Sequence, residues 1–139
     1  MAAPRGAIGR PVKVSILSVE DEVLNQALLR EVLARDAVLR QARLIEAASV
    51  AEARAAIAAD RFDLVIVDLR LPDGDGLSIA RELRTLQDPP AILVLSANVQ
   101  DEHRRAAIEA GADAVLGKPY RVSSLIEEIA RLLPREDKV

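Results

Sequence analysis

Five residues in this 139-residue chain have the side chains needed to handle a phosphoryl group: Glu20, Asp21, Asp68, Ser96 and Lys118. Clustered carboxylates repel one another and raise each other's pKa unless a cation intervenes. Carboxylate and carbonyl oxygens suit a hard cation such as Mg²⁺ or Mn²⁺. A carboxylate is also a nucleophile toward phosphorus, giving an acyl phosphate. Such transfer needs mostly positioning and charge neutralisation. A metal and a lysine neutralise, and a hydroxyl donates to a phosphoryl oxygen. The chain uses 16 arginines and 3 lysines, and Lys118 alone among the lysines follows a strand-like segment at its C-terminal side. A point charge on a flexible stem suits a moving phosphate.

Each residue taken singly has a plainer reading. Asp68 serves as a turn cap, Glu20 and Asp21 as helix N-terminal charges, Ser96 as a strand-end hydroxyl, and Lys118 as a solvated lysine. What argues against coincidence is placement, because all of them fall just past strands in an alternating pattern. Residues 12–19 (VKVSILSV), 43–47, 64–67 (LVIV), 91–96 (AILVLS) and 114–116 read as strands. Residues 23–34, about 50–59, a stretch ending near Leu86, about 101–110 and 122–133 read as helices. Ser49 and Glu52 form a capping-box pattern. LPDGDG at 71–76 is a turn signal, Pro89-Pro90 stop a helix, and Gly111 is placed as a C-terminal cap. Alternation of this kind predicts an α/β fold: a single doubly wound, five-stranded parallel sheet with five helices on both faces. Wholly apolar strands fit a sheet covered on both sides. In such a sheet the site lies beyond the C-terminal ends of the strands.

Composition narrows the function classes. Half of the residues are apolar and 29% are charged, as in an ordinary folded domain. The chain has no cysteine, which excludes disulfides, thiolate metal sites and a cysteine nucleophile. A net charge of −3 without a basic block speaks against direct nucleic-acid binding. No apolar run approaches the roughly 20 residues that span a bilayer, and MAAPRGAIGRP lacks the apolar core of a secretory signal. The expectation is a cytoplasmic protein with no membrane contact. Phe62 and Tyr120 are the only aromatic residues, so stacking platforms are poorly supported. His103, in DEHRR, reads as a solvated helix residue.

With these residues in place, the sequence resembles the receiver domain of bacterial two-component response regulators. The resemblance rests on SVEDE at 18–22, VDLRLPDGDG at 67–76, LSAN at 95–98 and GADAVLGKPY at 111–120, and covers about residues 12–133. It implies the strand order 2-1-3-4-5. It implies that Asp68 is the phosphoacceptor, that Asp21 and Asp68 coordinate Mg²⁺ or Mn²⁺ with the backbone carbonyl of Arg70, and that Glu20 acts mainly through a metal-bound water. Ser96 would donate to the phosphoryl group, Lys118 would pair with it, and the Lys118–Pro119 bond would be cis. The implied partner is a histidine kinase or a histidine phosphotransfer protein. The implied activity is the chain's own phosphorylation and slow dephosphorylation, which makes it a signalling phosphoacceptor rather than an enzyme acting on other molecules. The family usually carries Tyr or Phe three residues before the lysine. Val115 stands there, which puts the usual output switch in doubt.

Rival readings are weaker. An FMN carrier of the same topology wants a Ser/Thr/Gly-rich phosphate loop after the first strand, where SVEDE stands. A haloacid-dehalogenase-type phosphatase needs an acidic residue two positions after its nucleophile, where this chain has Arg70. A degenerate receiver acting only as a protein-interaction module is opposed by the full set of acids, hydroxyl and lysine. Residues 1–11 and 134–139 are expected to be tails flanking the domain at 12–133, and the segment after residue 133 is too short for an output domain. A stand-alone regulator, a relay intermediate and a piece of a longer protein all stay open. Finally, Val23, Leu24, Ala27, Leu28, Leu29, Val32 and Leu33 cover more of the first helix than a one-sided packing stripe needs. That excess is explained either by a second docking face for a helical phosphodonor or by overlap from neighbouring elements.

Overall fold

The structure is a computed structural model that describes residues 14–97 and 100–133. The expected tails, Val12 and Lys13 of the first expected strand, and Asn98 lie outside the described residues. The elements run β1 (Ser15–Val19), α1 (Val23–Arg35), a 3₁₀ turn (Leu39–Gln41), β2 (Arg43–Ala47), α2 (Val50–Ala59) and β3 (Leu64–Asp68). Two short strands follow, β4 (Arg70–Leu71) and β5 (Gly74–Asp75), then α3 (Gly76–Arg84), β6 (Ala91–Ser96), α4 (Asp101–Ala110), β7 (Ala114–Gly117) and α5 (Val122–Leu132).

The large sheet has the order β2-β1-β3-β6-β7 and all its pairings are parallel. Counting its own strands only, that is 2-1-3-4-5, as the resemblance implies. Successive side chains in a strand point to opposite faces, and here both faces are apolar. Ile16, Leu64, Ile66 and Leu93 meet Leu29, Val32, Leu33, Leu125 and Ile129 of α1 and α5. Leu17, Val19, Val65, Val67, Ile92 and Val94 meet α2, α3 and α4 through Ala53, Ile79, Leu83 and Ala107.

Two differences from the sequence expectations have local causes. The LPDGDG turn is itself a small antiparallel hairpin, with Arg70 opposite Asp75 and Leu71 opposite Gly74. The helix expected to end near Leu86 stops at Arg84, where the N–H groups of Thr85 and Leu86 donate to Glu82 and Leu83 in a tightened last turn. Ser49 caps α2 as expected, accepting from Glu52 N at 3.0 Å, while the Glu52 carboxylate reaches back to Ala48 N at 2.9 Å. Gly111 ends α4 with φ 118°, the left-handed region that suits glycine.

At the edge of the sheet far from the strand C-termini, two aspartates fasten neighbouring strands. Asp63 N donates to Ser15 O, and Ser15 N donates back to Asp63 Oδ2, both at 2.8 Å. Asp113 and Ile92 repeat the same pair of bonds, both at 2.8 Å.

Candidate functional site

The strand register brings the chemistry-bearing residues together. Val19 of β1 lies opposite Val67 of β3, so Glu20 and Asp68 follow side by side. Asp68 lies opposite Leu95 of β6, and Ser96 is the next residue. Ser96 lies opposite Gly117 of β7, and the Lys118 N–H donates to Ser96 O at 2.7 Å. Three adjacent strand ends therefore present Asp68, Ser96 and Lys118 in one row, with Glu20 on the far side of Asp68. Glu20 and Ser96 are buried.

Lys118 is the centre of the arrangement. Its Nζ donates to Glu20 Oε1 at 3.1 Å and also to Asp68 Oδ2. Burial by itself would lower the Lys118 pKa, but the hydrogen bond and charge of Asp68, joined by those of Glu20, outweigh it, and the ammonium sits above its ordinary value. Burial pushes Glu20 up, against the pull of the Glu22 N–H and of Lys118, with the negative charge of Asp68 adding to the rise. Glu20 Oε2 accepts from Glu22 N at 3.1 Å, and Asp68 Oδ1 accepts from Arg70 N at 2.8 Å. The Lys118–Pro119 bond is cis, as the resemblance implies.

Asp21 stands differently. It is exposed at the start of α1, and among the described residues no three acidic or imidazole side chains converge closely enough to hold a metal ion. The ammonium of Lys118 binds Glu20 and Asp68, whereas the Asp21 side chain is exposed beside them. The donor chemistry still fits a hard cation. Glu20, Asp21, Asp68 and the Arg70 carbonyl offer only oxygen: the first two follow β1, Asp68 ends its partner strand β3, and Arg70 lies two residues on in β4.

Comparisons with known proteins identify the family. The family model described as response regulator receiver domain matches residues 16–130. This chain belongs to the response regulator receiver family. It is similar to the response regulator MprA of Mycolicibacterium vanbaalenii, at 42% identity over 84 residues that cover 60% of this chain and 36% of MprA. It is also similar to the KDP operon transcriptional regulatory protein KdpE of Escherichia coli, at 38% identity over 111 residues, 80% of this chain and 47% of KdpE. The chain thus spans less than half the length of these relatives. Its fold matches a two-component response regulator from Clostridium difficile with a TM-score of 0.81, covering 91% of this chain and all of that one at 22% identity.

Within the receiver fold, Val115 is buried and packs with Ala107 and Ala110 of α4. Tyr120 packs on the opposite face of the sheet, against the cluster under α1 and α5. It does not stand in for an aromatic ring at position 115. Sequence reasoning missed two residues of the loop after Asp68. Gly76 packs its backbone against Asp68, and the Asp73 carboxylate accepts from Val50 N and Ala51 N at 2.7 and 3.0 Å. The only signal for either was the Gly/Asp-rich run at 71–76, which read as a turn and nothing more.

Proposed function

We propose that this receiver takes a phosphoryl group onto Asp68 from a phosphohistidine on a histidine kinase or phosphotransfer protein. The observation that carries the reading is the Lys118 ammonium held between Asp68 and Glu20 at the C-terminal ends of β1, β3 and β7. An Asp68 carboxylate oxygen bonds to phosphorus as the phosphorus–nitrogen bond to the donor imidazole breaks, and the imidazole leaves with the electron pair. Lys118 turns from Asp68 toward the phosphoryl oxygens, and the Ser96 hydroxyl donates to one of them. Mg²⁺ or Mn²⁺, held by Asp21, Asp68 and the Arg70 carbonyl with Glu20 acting through a water, would neutralise charge on the transferred group. Slow hydrolysis of the acyl phosphate returns the carboxylate. The test is intact-mass analysis after incubation with a small phosphodonor, with and without Mg²⁺. A single acid-stable, base-labile phosphoryl group that requires the metal is expected. Absence of labelling would leave the chain as an interaction module without this chemistry.

The donor's docking surface is proposed on α1. Val23 and Leu24, two and three residues after Asp21, are 72% and 80% exposed, and Leu28 is 44% exposed. Leu29, Val32 and Leu33 face the core instead. An exposed apolar stripe running away from the site suits a helical donor that brings its histidine to Asp68. Leu24→Glu is expected to slow transfer from the phosphorylated donor protein at least about tenfold, on the scale of losing a central apolar contact. Labelling by the small phosphodonor should stay unchanged. Equal slowing of both reactions would remove the docking role.

No helix among the described residues is long and apolar enough to cross a membrane. With a net charge of −3, the chain is proposed to make no direct nucleic-acid contact. Residence in the cytoplasm, where a kinase domain reaches it, follows from the same proposal.

Val115 bears on output. A rotating switch needs a large side chain with an exposed and a buried orientation of similar stability. Valine has one stiff torsion, and this one is buried in the same apolar cluster as Ala107 and Ala110 of α4. The face made by α4, β7 and α5 is therefore expected to change little on phosphorylation, leaving little differential free energy to bias a partner there. Amide chemical shifts with and without a phosphoryl mimic should differ near Asp68, Ser96 and Lys118. Large changes across 101–110 and 122–132 would refute this.

A further inference from the structure

The hairpin after the phosphoacceptor is closed at its base and tied at its tip. At the base, Asp68 Oδ1 accepts from Arg70 N at 2.8 Å and Gly76 N donates to Leu69 O at 2.9 Å. Between Leu71 and Gly74 only Pro72 and Asp73 remain, forming the tip. There the Asp73 carboxylate spans two amides of another element: one oxygen accepts from Val50 N at 2.7 Å and the other from Ala51 N at 3.0 Å. These are the first two residues of α2, 23 and 22 positions away in the chain.

The contact is close as well as polar. A Cβ on Gly74 would stand 3.2 Å from Val50 Cγ2, so the hairpin backbone rests on that side chain. The anchor it reaches is itself braced. Arg54 of α2 and Glu82 of α3 form a forked ion pair with bonds of 2.6 to 3.0 Å, and α3 begins where the hairpin ends. α2 also has a cap of its own, because Ser49 Oγ accepts from Glu52 N. Asp73 therefore does something beyond completing a helix end. Charge-assisted bonds to free amides at a helix N-terminus are among the stronger ones available to a surface carboxylate, and both amides hold the Asp73 carboxyl below its ordinary pKa.

We propose that Asp73 is a positioning residue for the phosphoryl-transfer site: by fastening the hairpin tip to the start of α2 it fixes the Asp68–Arg70 segment, and with it the Arg70 carbonyl offered to the metal. The proposal rests on the phosphoacceptor reading of Asp68. Without the tie, the tip moves as a free two-residue loop, and the segment must be ordered when the cation binds.

Two substitutions separate positioning from plain helix stability. Asp73→Ala removes the tie, while Ser49→Ala removes a cap from the same helix and leaves the hairpin alone. Mg²⁺ is titrated into the unphosphorylated protein and followed by the amide shifts of Asp68, Leu69 and Arg70. The rate of labelling by a small phosphodonor is measured alongside. Asp73→Ala is expected to need about tenfold more Mg²⁺ for half-saturation, the lower end of what losing a supporting partner of a metal ligand costs. Ser49→Ala should titrate like the unsubstituted chain, and Asp73→Asn, which keeps one acceptor oxygen, should fall between. If Asp73→Ala does not fold, Asp73→Asn against Ser49→Ala makes the same comparison. Equal shifts in the Asp73 and Ser49 variants, or none in either, would overturn the positioning role. If the unsubstituted chain neither binds Mg²⁺ nor is labelled, the phosphoacceptor reading falls and this one with it. If it does both and Asp73→Ala matches it, only the role of Asp73 falls.

Discussion

Asp68→Asn will abolish acyl-phosphate formation. The nucleophile in the proposed transfer is a carboxylate oxygen, and the amide that replaces it is a poor nucleophile that forms no stable acyl phosphate. Removing a group that itself makes the covalent bond costs about 10³-fold or more in rate, which amounts to no labelling on the timescale of the experiment. The fold should survive, since Lys118 keeps Glu20 as a partner at 3.1 Å and one of two neighbouring carboxylates loses its charge. Intact mass after exposure to the small phosphodonor and Mg²⁺ reads the first expectation, and circular dichroism the second. Full labelling of the folded variant would place the acceptor elsewhere.

Gly76→Ala should be among the most damaging substitutions of a small residue in this chain. An added Cβ would stand 2.2 Å from Asp68 O, 3.0 Å from Val67 Cγ2 and 3.1 Å from Asp68 C. Two of those three atoms are backbone, so no flexible side chain can swing aside. Either α3 backs away from the strand or Asp68 is displaced, and overpacking of this kind costs about 1–3 kcal/mol. For a domain of this size that lowers the melting midpoint by roughly 3–12 °C. The slower labelling expected alongside would distinguish displacement of Asp68 from simple loss of stability. Gly74→Ala is the internal contrast, because its nearest contact is the end of the Val50 side chain at 3.2 Å. A melting midpoint for Gly76→Ala equal to that of the unsubstituted chain would contradict the close approach.

The parts of the fold that were legible in the sequence are those where burial is one-dimensional. LVIV at 64–67 and AILVLS at 91–96 are apolar throughout because both faces of the sheet are covered, and their bounds came out within a residue. Asp68, Ser96 and Lys118 could be placed together because each directly follows or ends such a strand. What failed to show was contact made sideways. The Gly/Asp run at 71–76 announces a tight turn, but not that Asp73 reaches α2 or that Gly76 touches the backbone of Asp68. Those contacts depend on where another element lies in space. Glu20 and Asp21 are neighbours in sequence, yet Glu20 turns inward to Lys118 while Asp21 is exposed, a divergence that adjacency alone does not reveal. In α1, seven apolar residues gave an accurate sense of excess, yet only the structure separates the inward Leu29, Val32 and Leu33 from the exposed Val23, Leu24 and Leu28.

The paired bonds at Asp63 and Asp113 bear on how the chain avoids wrong versions of itself. A strand that is apolar on both sides carries no alternating pattern to mark its register, and a slip of one residue exchanges every inward and outward side chain. For β3 and β6, whose two faces are nearly equivalent in hydrophobicity, burial alone would penalise such a slip weakly. Asp63 and Asp113 precede β3 and β7, and each exchanges bonds, donor to acceptor in both directions, with one residue of a neighbouring strand: Ser15 of β1 and Ile92 of β6. Moving a strand by one residue, about 3.3 Å, would break both bonds at once and leave buried polar groups without partners. The two aspartates thus act as index pins: they select one alignment of the sheet among several that greasy strands would otherwise tolerate, and so decide which residues arrive together at its opposite end.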